Sequence, residues 1–346
     1  MQTELIFPIT AAALERAGEL IRGGGLVAFP TETVYGLGAN ALDGDAVRSI
    51  FEAKGRPGDN PLIVHISAID QLARLIAAEP SPMARALMDA CWPGPMTLIF
   101  PKSDAVPAAV TAQLSTVAVR FPAHPVARAL IDAAARPIAA PSANRSGRPS
   151  PTTAAHVLED MDGRIPMILD GGPCDVGLES TVIDVTGETP RILRPGGITP
   201  ERIEAICGGV QVDDAVMRPL KEGERPRSPG MKYRHYAPIG ALTIVEGEAK
   251  AVISRTRELY DQALSAGKRP LILALEGHIP AYEGRRTLSL GVDAEAMARN
   301  IFARLRDADE MGADAIFSEA VPQDGIGLAV MNRLGRAAAF HVEKAN

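Results

Sequence analysis

The sequence predicts two α/β domains, a larger one on a mixed sheet over residues 1–207 and a small doubly wound one over residues 240–346. Three observations predict this. Up to about residue 207, short apolar runs of strand length alternate with helical stretches. After Ile165 the strand-like runs follow one another closely, so part of the first sheet is expected to be antiparallel. From Gly208 to Pro238 the alternation gives way to Gly, Pro and charge, which reads as a linker over 208–239. At 346 residues the chain also exceeds a comfortable single core.

The elements follow in order. Apolar runs predict strands at 26–29, 62–66, 97–100, 117–121, 137–140, 167–169, 181–185 and 191–194. Helical patterning predicts helices at 11–22, 45–53, 69–77, 82–90, 125–134 and 153–159. Beyond the linker, strands are expected at 241–245, 271–275 and 315–317, with helices at 249–266, 294–309 and 328–339. The sequence has no internal repeat and no low-complexity tract.

Composition narrows the function classes. Hydrophobic residues make up 46% and charged residues 23%, an ordinary globular balance. Lys plus Arg is 36 against 42 acids, a net charge of −6, so the chain has no overall attraction for nucleic acid. Cys91, Cys174 and Cys207 lie far apart without CxxC spacing, and read as reduced thiols rather than a zinc site or a disulfide framework. No apolar run reaches the length of a membrane span, and the N-terminus lacks a basic-then-apolar signal pattern. The cytoplasm is the expected location, with no membrane partner.

Chemistry concentrates in three loops of the first domain. Phe29-Pro-Thr-Glu-Thr-Val-Tyr-Gly-Leu-Gly-Ala39 sets two hydroxyls, a carboxylate and a phenol at a strand end, followed by Gly36 and Gly38, where backbone is expected to approach a ligand closely. Lys54-Gly-Arg-Pro-Gly-Asp-Asn-Pro-Leu-Ile-Val-His65 and Ala140-Pro-Ser-Ala-Asn-Arg-Ser-Gly-Arg-Pro-Ser150 add cations, amides and hydroxyls among Gly and Pro. Together they point to an anion-binding catalytic site. Gly36-Leu-Gly-Ala-Asn-Ala41 matches a dinucleotide fingerprint only formally, because Pro30 to Tyr35 separate it from the strand. GxxxxGK[ST], GxSxG and HExxH patterns are absent from the sequence.

Each residue also has a plainer reading. Lys54 and Arg56 follow a predicted helix, where cations complement the dipole, but two of them before Pro57, Gly58 and Asn60 suit phosphate better. His65 sits among apolar strand neighbours, where a lone histidine is usually structural. Arg120 is the first charge after an apolar strand, equally suited to a salt bridge or a substrate. Ser180 and Thr181 fit a turn, and Arg194 fits a surface. Ser228-Pro-Gly-Met-Lys-Tyr-Arg-His-Tyr-Ala-Pro238 is too rich in aromatics and cations for a spacer and is expected to close over the site.

Taken together, Pro30-Thr-Glu-Thr-Val-Tyr-Gly-Leu-Gly38, Lys54-Gly-Arg-Pro57 with Asn60-Pro-Leu62, Pro141-Ser-Ala-Asn-Arg-Ser-Gly147 and the 228–238 segment resemble the YrdC-like family, in the long two-domain form of threonylcarbamoyl-AMP synthase. The resemblance covers essentially the whole chain, with four motifs in order. It implies a YrdC-like twisted mixed sheet with helices around a large cleft, linked to a small Rossmann-like doubly wound domain. It implies a nucleotidyltransferase: L-threonine, bicarbonate or CO2, and ATP give threonylcarbamoyl-AMP and pyrophosphate, with Mg2+ riding on the phosphates and no side-chain metal site. The product would feed a tRNA threonylcarbamoyl transferase complex that modifies adenosine next to the anticodon. Motif correspondence assigns Lys54, Arg56, Asn60, Thr116, Ser142, Asn144, Ser150, Arg194 and Tyr236 to ATP, with Lys54 and Arg56 catalytic. It assigns Thr33, His65, Arg120, Ala140 and Ser180 to L-threonine.

Two rivals remain at this level. One is a non-catalytic module with weak RNA binding, which the acidic balance disfavours. The other is a carbamoyltransferase of the hydrogenase-maturation type, which would bring zinc-finger cysteine pairs and an acylphosphatase-like segment that this sequence lacks. Substitution of Lys54 or Arg56 is expected to cost turnover while barely moving the melting temperature.

Overall fold

A computed structural model describes residues 2–218 and 236–345. Among these, the first compact unit takes 2–146 and 150–216, and the second takes 147–149, 217–218 and 236–345. Most of the segment expected to act as a lid falls on 219–235, outside the described residues.

The first unit is built on an eleven-stranded sheet. Its strands are β1 (Glu4–Ile6), β2 (Val27–Phe29), β3 (Gly36–Asn40), β4 (Ile63–His65), β5 (Met96–Pro101), β6 (Thr116–Arg120), β7 (Ile138–Ala139), β8 (Met167–Leu169), β9 (Thr181–Asp184), β10 (Arg191–Arg194) and β11 (Gln211–Val212). They lie in the order β1-β8-β2-β3-β7-β4-β6-β5-β9-β10-β11. The sheet is mixed: β4 and β6 are parallel, β6 and β5 antiparallel, β5 and β9 parallel, β9 and β10 antiparallel.

Side-chain alternation explains why so short a strand as β2 is apolar throughout. Val27 and Phe29 pack with the helices Ala11–Arg22 and Pro125–Ala134, whereas Ala28 faces the core on the other side. Those helices approach closely because Gly18 lacks a Cβ, which would lie 2.6 Å from the carbonyl carbon of Ala133.

Three expectations change. Gly36-Leu-Gly-Ala-Asn40, where no strand is predicted from the sequence, is a strand, β3, paired antiparallel with β2. The space beside its glycines is taken by protein and not left for a ligand. A Cβ on Gly38 would lie 2.8 Å from both the Phe29 ring and Ile138 Cγ2, and one on Gly36 would lie 3.2 Å from Ala140 Cβ. The third concerns the start of the linker. Gln211–Val212 pairs in parallel with β10, and Ala215 and Val216 are buried, so residues up to 216 extend the first unit.

The second unit carries five parallel strands: β12 (Ala241–Glu246), β13 (Pro270–Leu275), β14 (Thr287–Gly291), β15 (Ala315–Glu319) and β16 (Val342–Lys344). Their order is β14-β13-β15-β12-β16. The parallel, helix-connected build is the one expected, but β15 inserts between the first two strands of the unit, unlike the most familiar dinucleotide-binding order. Among the described residues no helix is long and apolar enough to cross a membrane.

Gly38→Ala is expected to lower stability by about 1–3 kcal/mol through overpacking against Phe29 and Ile138. Urea unfolding of the variant checks this. An unchanged midpoint would mean that the close packing under β3 tolerates a methyl group.

Candidate active site

Strand register assembles the centre of the site. His65 ends β4, Arg120 ends β6, and the two are direct partners, while Thr97 of β5 faces Arg120 from the other side. A row therefore runs across the sheet from Ile138 through His65 and Arg120 to Thr97 and Val182. Ala140, just past β7, donates its N–H to the Ile63 carbonyl at 2.9 Å.

The turn after β2 supplies the partners of Arg120. Thr31 Oγ1 accepts from the backbone N–H groups of Thr33 and Val34, which fixes the turn internally. Arg120 then donates from Nη1 to Thr33 Oγ1 (2.8 Å), from Nη2 to Glu32 Oε1 (2.6 Å) and from Nε to the Gly94 carbonyl (3.3 Å). Glu32 Oε2 accepts from the N–H groups of Ala123 and His124, where the helix Pro125–Ala134 begins. Burial raises the Glu32 pKa, but the charge and hydrogen bond of Arg120 outweigh it, and the net shift is downward. The salt-bridge reading of Arg120 is thus correct. It does not exclude a substrate, since an arginine has five N–H donors and three are used here.

His65 is buried, and among the described residues its Nδ1 has no hydrogen-bond partner. Burial, then the neighbouring Arg120 charge, pushes its pKa down to about 3, so the ring is neutral. Its edge meets the Phe29 ring at a centroid distance of 6.2 Å. An imidazole nitrogen buried without a partner marks a place where a polar ligand can complete the bonding.

Lys54 departs from the helix-dipole reading. It is the last residue of the helix Gly44–Lys54, which Gly55 terminates in the left-handed conformation at φ 62°. The ammonium is buried and donates to the carbonyls of Ser142 (2.5 Å) and Asn144 (2.6 Å), tying the helix end to the 140–150 loop. Ser142 Oγ in turn donates to Asn144 Oδ1 at 2.6 Å. Burial first, and the Arg56 charge second, pull the Lys54 pKa well below the ordinary lysine value, while Asp160 and Glu179 pull the other way. The expectation that replacing Lys54 barely affects stability is therefore corrected, because the substitution strands two carbonyls.

Beyond Lys54, the Arg56 guanidinium lies over the Phe51 ring at 5.9 Å. Asn60 is fully buried, and neither amide atom has a partner among the described residues. Thr116 opens β6, four residues before Arg120 and so about 13 Å from it along the strand. The pairing with β4 does not reach back to Asn60, because Leu62 N–H donates to the Val110 carbonyl instead.

On the other flank, Ser180 Oγ pairs with Thr97 Oγ1 at 2.7 Å. Arg194 donates to the Ser180 carbonyl and hydroxyl, each at 3.1 Å, so it is buried in the site and not on the surface. Ser150 Oγ donates to Glu179 Oε1 at 2.5 Å. Tyr236 is not among the residues the first unit brings together. It belongs to the second unit, where its ring stacks on Phe302 at 5.1 Å and meets Arg333 at 5.9 Å. Glu32, Thr97 and Glu179 were missed as site residues. Only Glu32 carried a signal, an acid within an otherwise uncharged strand-end motif.

Two family signatures match this chain. The Sua5/YciO/YrdC signature, described as "Telomere recombination", covers residues 19–196, and the "Threonylcarbamoyl-AMP synthase, C-terminal domain" covers residues 198–339. The threonylcarbamoyl-AMP synthase of Pyrococcus abyssi is 49% identical over 328 residues, spanning 95% of this chain and 94% of that protein. The Bacillus subtilis enzyme of the same name is 49% identical over 332 residues, with the same shares. The crystal structure of P. abyssi Sua5 complexed with L-threonine matches with a TM-score of 0.93 and 47% identity, covering 99% of this chain and 100% of that one. The chain belongs to the Sua5/YciO/YrdC family, in the two-domain form that adds the threonylcarbamoyl-AMP synthase C-terminal domain.

Proposed function

We propose that the chain is an L-threonylcarbamoyladenylate synthase: L-threonine, bicarbonate or CO2, and ATP give threonylcarbamoyl-AMP and pyrophosphate. The observation that carries this is the convergence of Arg120, His65, Thr33 and Ser180 beside the cation-bearing loop of Lys54, in a chain about half identical to synthases of that name. Arg120 meets the threonine carboxylate with its remaining N–H groups. The threonine amine adds to CO2, and an oxygen of the resulting carbamate attacks the α-phosphorus as pyrophosphate departs. Lys54, Arg56 and Arg194 offset phosphate charge, so position and electrostatics suffice and no protein nucleophile is needed. The asparagine amide buried at position 60 supplies neutral donors and acceptors to the nucleotide.

On this reading magnesium arrives as part of the ATP substrate, riding on its phosphates. The same reading places the enzyme in the cytoplasm, upstream of a threonylcarbamoyl transferase complex acting on tRNA.

Chromatography of the nucleotide products, with and without threonine and bicarbonate, tests the reaction. Pyrophosphate and an AMP adduct that need both co-substrates are expected; ADP and phosphate would refute the assignment. Lys54→Ala is expected to lower turnover about a hundredfold or more. It should also cost about 1–3 kcal/mol of stability for the two stranded carbonyls. Steady-state rates and denaturant unfolding measure both, and near-normal turnover would leave Lys54 a purely structural tie. A pH dependence follows from His65. Its folded pKa of about 3 lies below the free value of 6.5, so proton uptake favours the unfolded chain. The stability tied to the neutral ring is complete above about pH 6.5 and is lost as pH falls toward 3. His65→Gln should flatten this acid limb in unfolding free energies measured from pH 7 to 4. Coincident limbs would rule His65 out.

A further inference from the structure

The turn after β2 puts a buried carboxylate, Glu32, against the arginine assigned to the threonine carboxylate. An arginine alone there would make a cationic pocket, suited to any small carboxylate. The groups around it add no second positive charge. His65 is held neutral by burial, and burial likewise depresses the pKa of His124. The Cys174 thiol, close to both Glu32 and Arg120, is pushed up to about 12 by burial first, so it carries no charge either. Arg194 serves the Ser180 flank and is assigned to phosphate. Arg120 and the groups bonded to it therefore sum to zero: one guanidinium, one carboxylate, a hydroxyl and a carbonyl.

We propose that Glu32 is the specificity-determining residue of the amino-acid site, which makes the pocket select a zwitterion over the hydroxy acid of the same shape. This rests on the threonine reading above. A net-neutral pocket with separated charges complements a net-neutral ligand with separated charges: the carboxylate goes to Arg120, and the ammonium is favoured by the field of Glu32. A monoanion bearing a hydroxyl in place of the amine meets that carboxylate with nothing to offset it, and the site rejects it. Glu32 is also fixed where it stands. Its second oxygen accepts from Ala123 and His124, and Val176 N–H is bonded to its carbonyl, so the charge cannot swing away when a ligand arrives. The selection has a chemical purpose, since only an amine gives the carbamate with CO2.

The test is equilibrium binding to the full chain by calorimetry. The probes are L-threonine and 2,3-dihydroxybutanoate of matching configuration, in which a hydroxyl replaces the amine. The unsubstituted protein should bind threonine at least about tenfold more tightly than the hydroxy acid, on the scale of one charge-assisted interaction. In Glu32→Gln, threonine should weaken by about tenfold while the hydroxy acid tightens, because the pocket gains one net positive charge. Opposite movements distinguish selection from simple support of Arg120, which would weaken both ligands together. Parallel loss overturns the role of Glu32 and leaves the threonine reading intact. An unsubstituted protein that binds neither probe overturns both. If Glu32→Gln does not fold, the unsubstituted protein decides: binding the hydroxy acid as tightly as threonine overturns the proposal, and rejecting it supports the proposal.

Discussion

Two cations taken out of water before any substrate arrives set the rest of this site. Lys54 and Arg120 are each at most 3% exposed. Burying a charge costs several kcal/mol unless partners surround it, so the chain around each is constrained to supply them. The two solutions differ. Lys54 is met by backbone carbonyls, which bring no formal opposing charge, while burial first and the Arg56 charge second depress its pKa. Arg120 is met by a carboxylate, a hydroxyl and a carbonyl, which orient it and cancel its net charge. The first arrangement suits a polyanion such as a triphosphate, and the second suits a ligand that brings both signs.

That contrast accounts for the placement of the surrounding loops. The 140–150 loop turns back to the helix end because the ammonium of Lys54 needs its carbonyls, and Ser146 N–H closes the same junction on the Lys54 carbonyl at 3.0 Å. The turn at residues 30–35 is buried along its length, and Tyr35 secures its far end by donating from its hydroxyl to the Gly172 carbonyl at 2.7 Å. The glycines of β3 serve this packing. They let the Phe29 ring pack close against the strand, and that ring makes a T-shaped contact with His65.

Much of the fold was legible because burial leaves a local trace. The runs that became β2, β4, β5 and β6 are apolar because both faces of the sheet are covered. Strands β1, β11, β14 and β16 were not legible: they lie at sheet edges, mostly only partly buried or exposed, with little core to announce them. Strand β3 was hidden by glycines whose purpose appears only when Phe29 and Ile138 are in place. In the site, the loops bearing Lys54, Asn60 and Ser142 stood out by composition. The partnership of Glu32 with Arg120 spans 88 residues and exists only through the strand order, so no local pattern announces it. Thr97 was invisible for the same reason, as a hydroxyl inside an apolar strand.

In the proposed reaction fixed charge and position do the chemistry, without a covalent nucleotidyl-enzyme. The stereochemical course at the α-phosphorus tests this most directly. With ATP made chiral there by sulfur substitution, a single in-line attack by the threonine carbamate must invert the configuration in the adenylate product. The account predicts inversion; retention would require two displacements through a protein nucleophile and would contradict it.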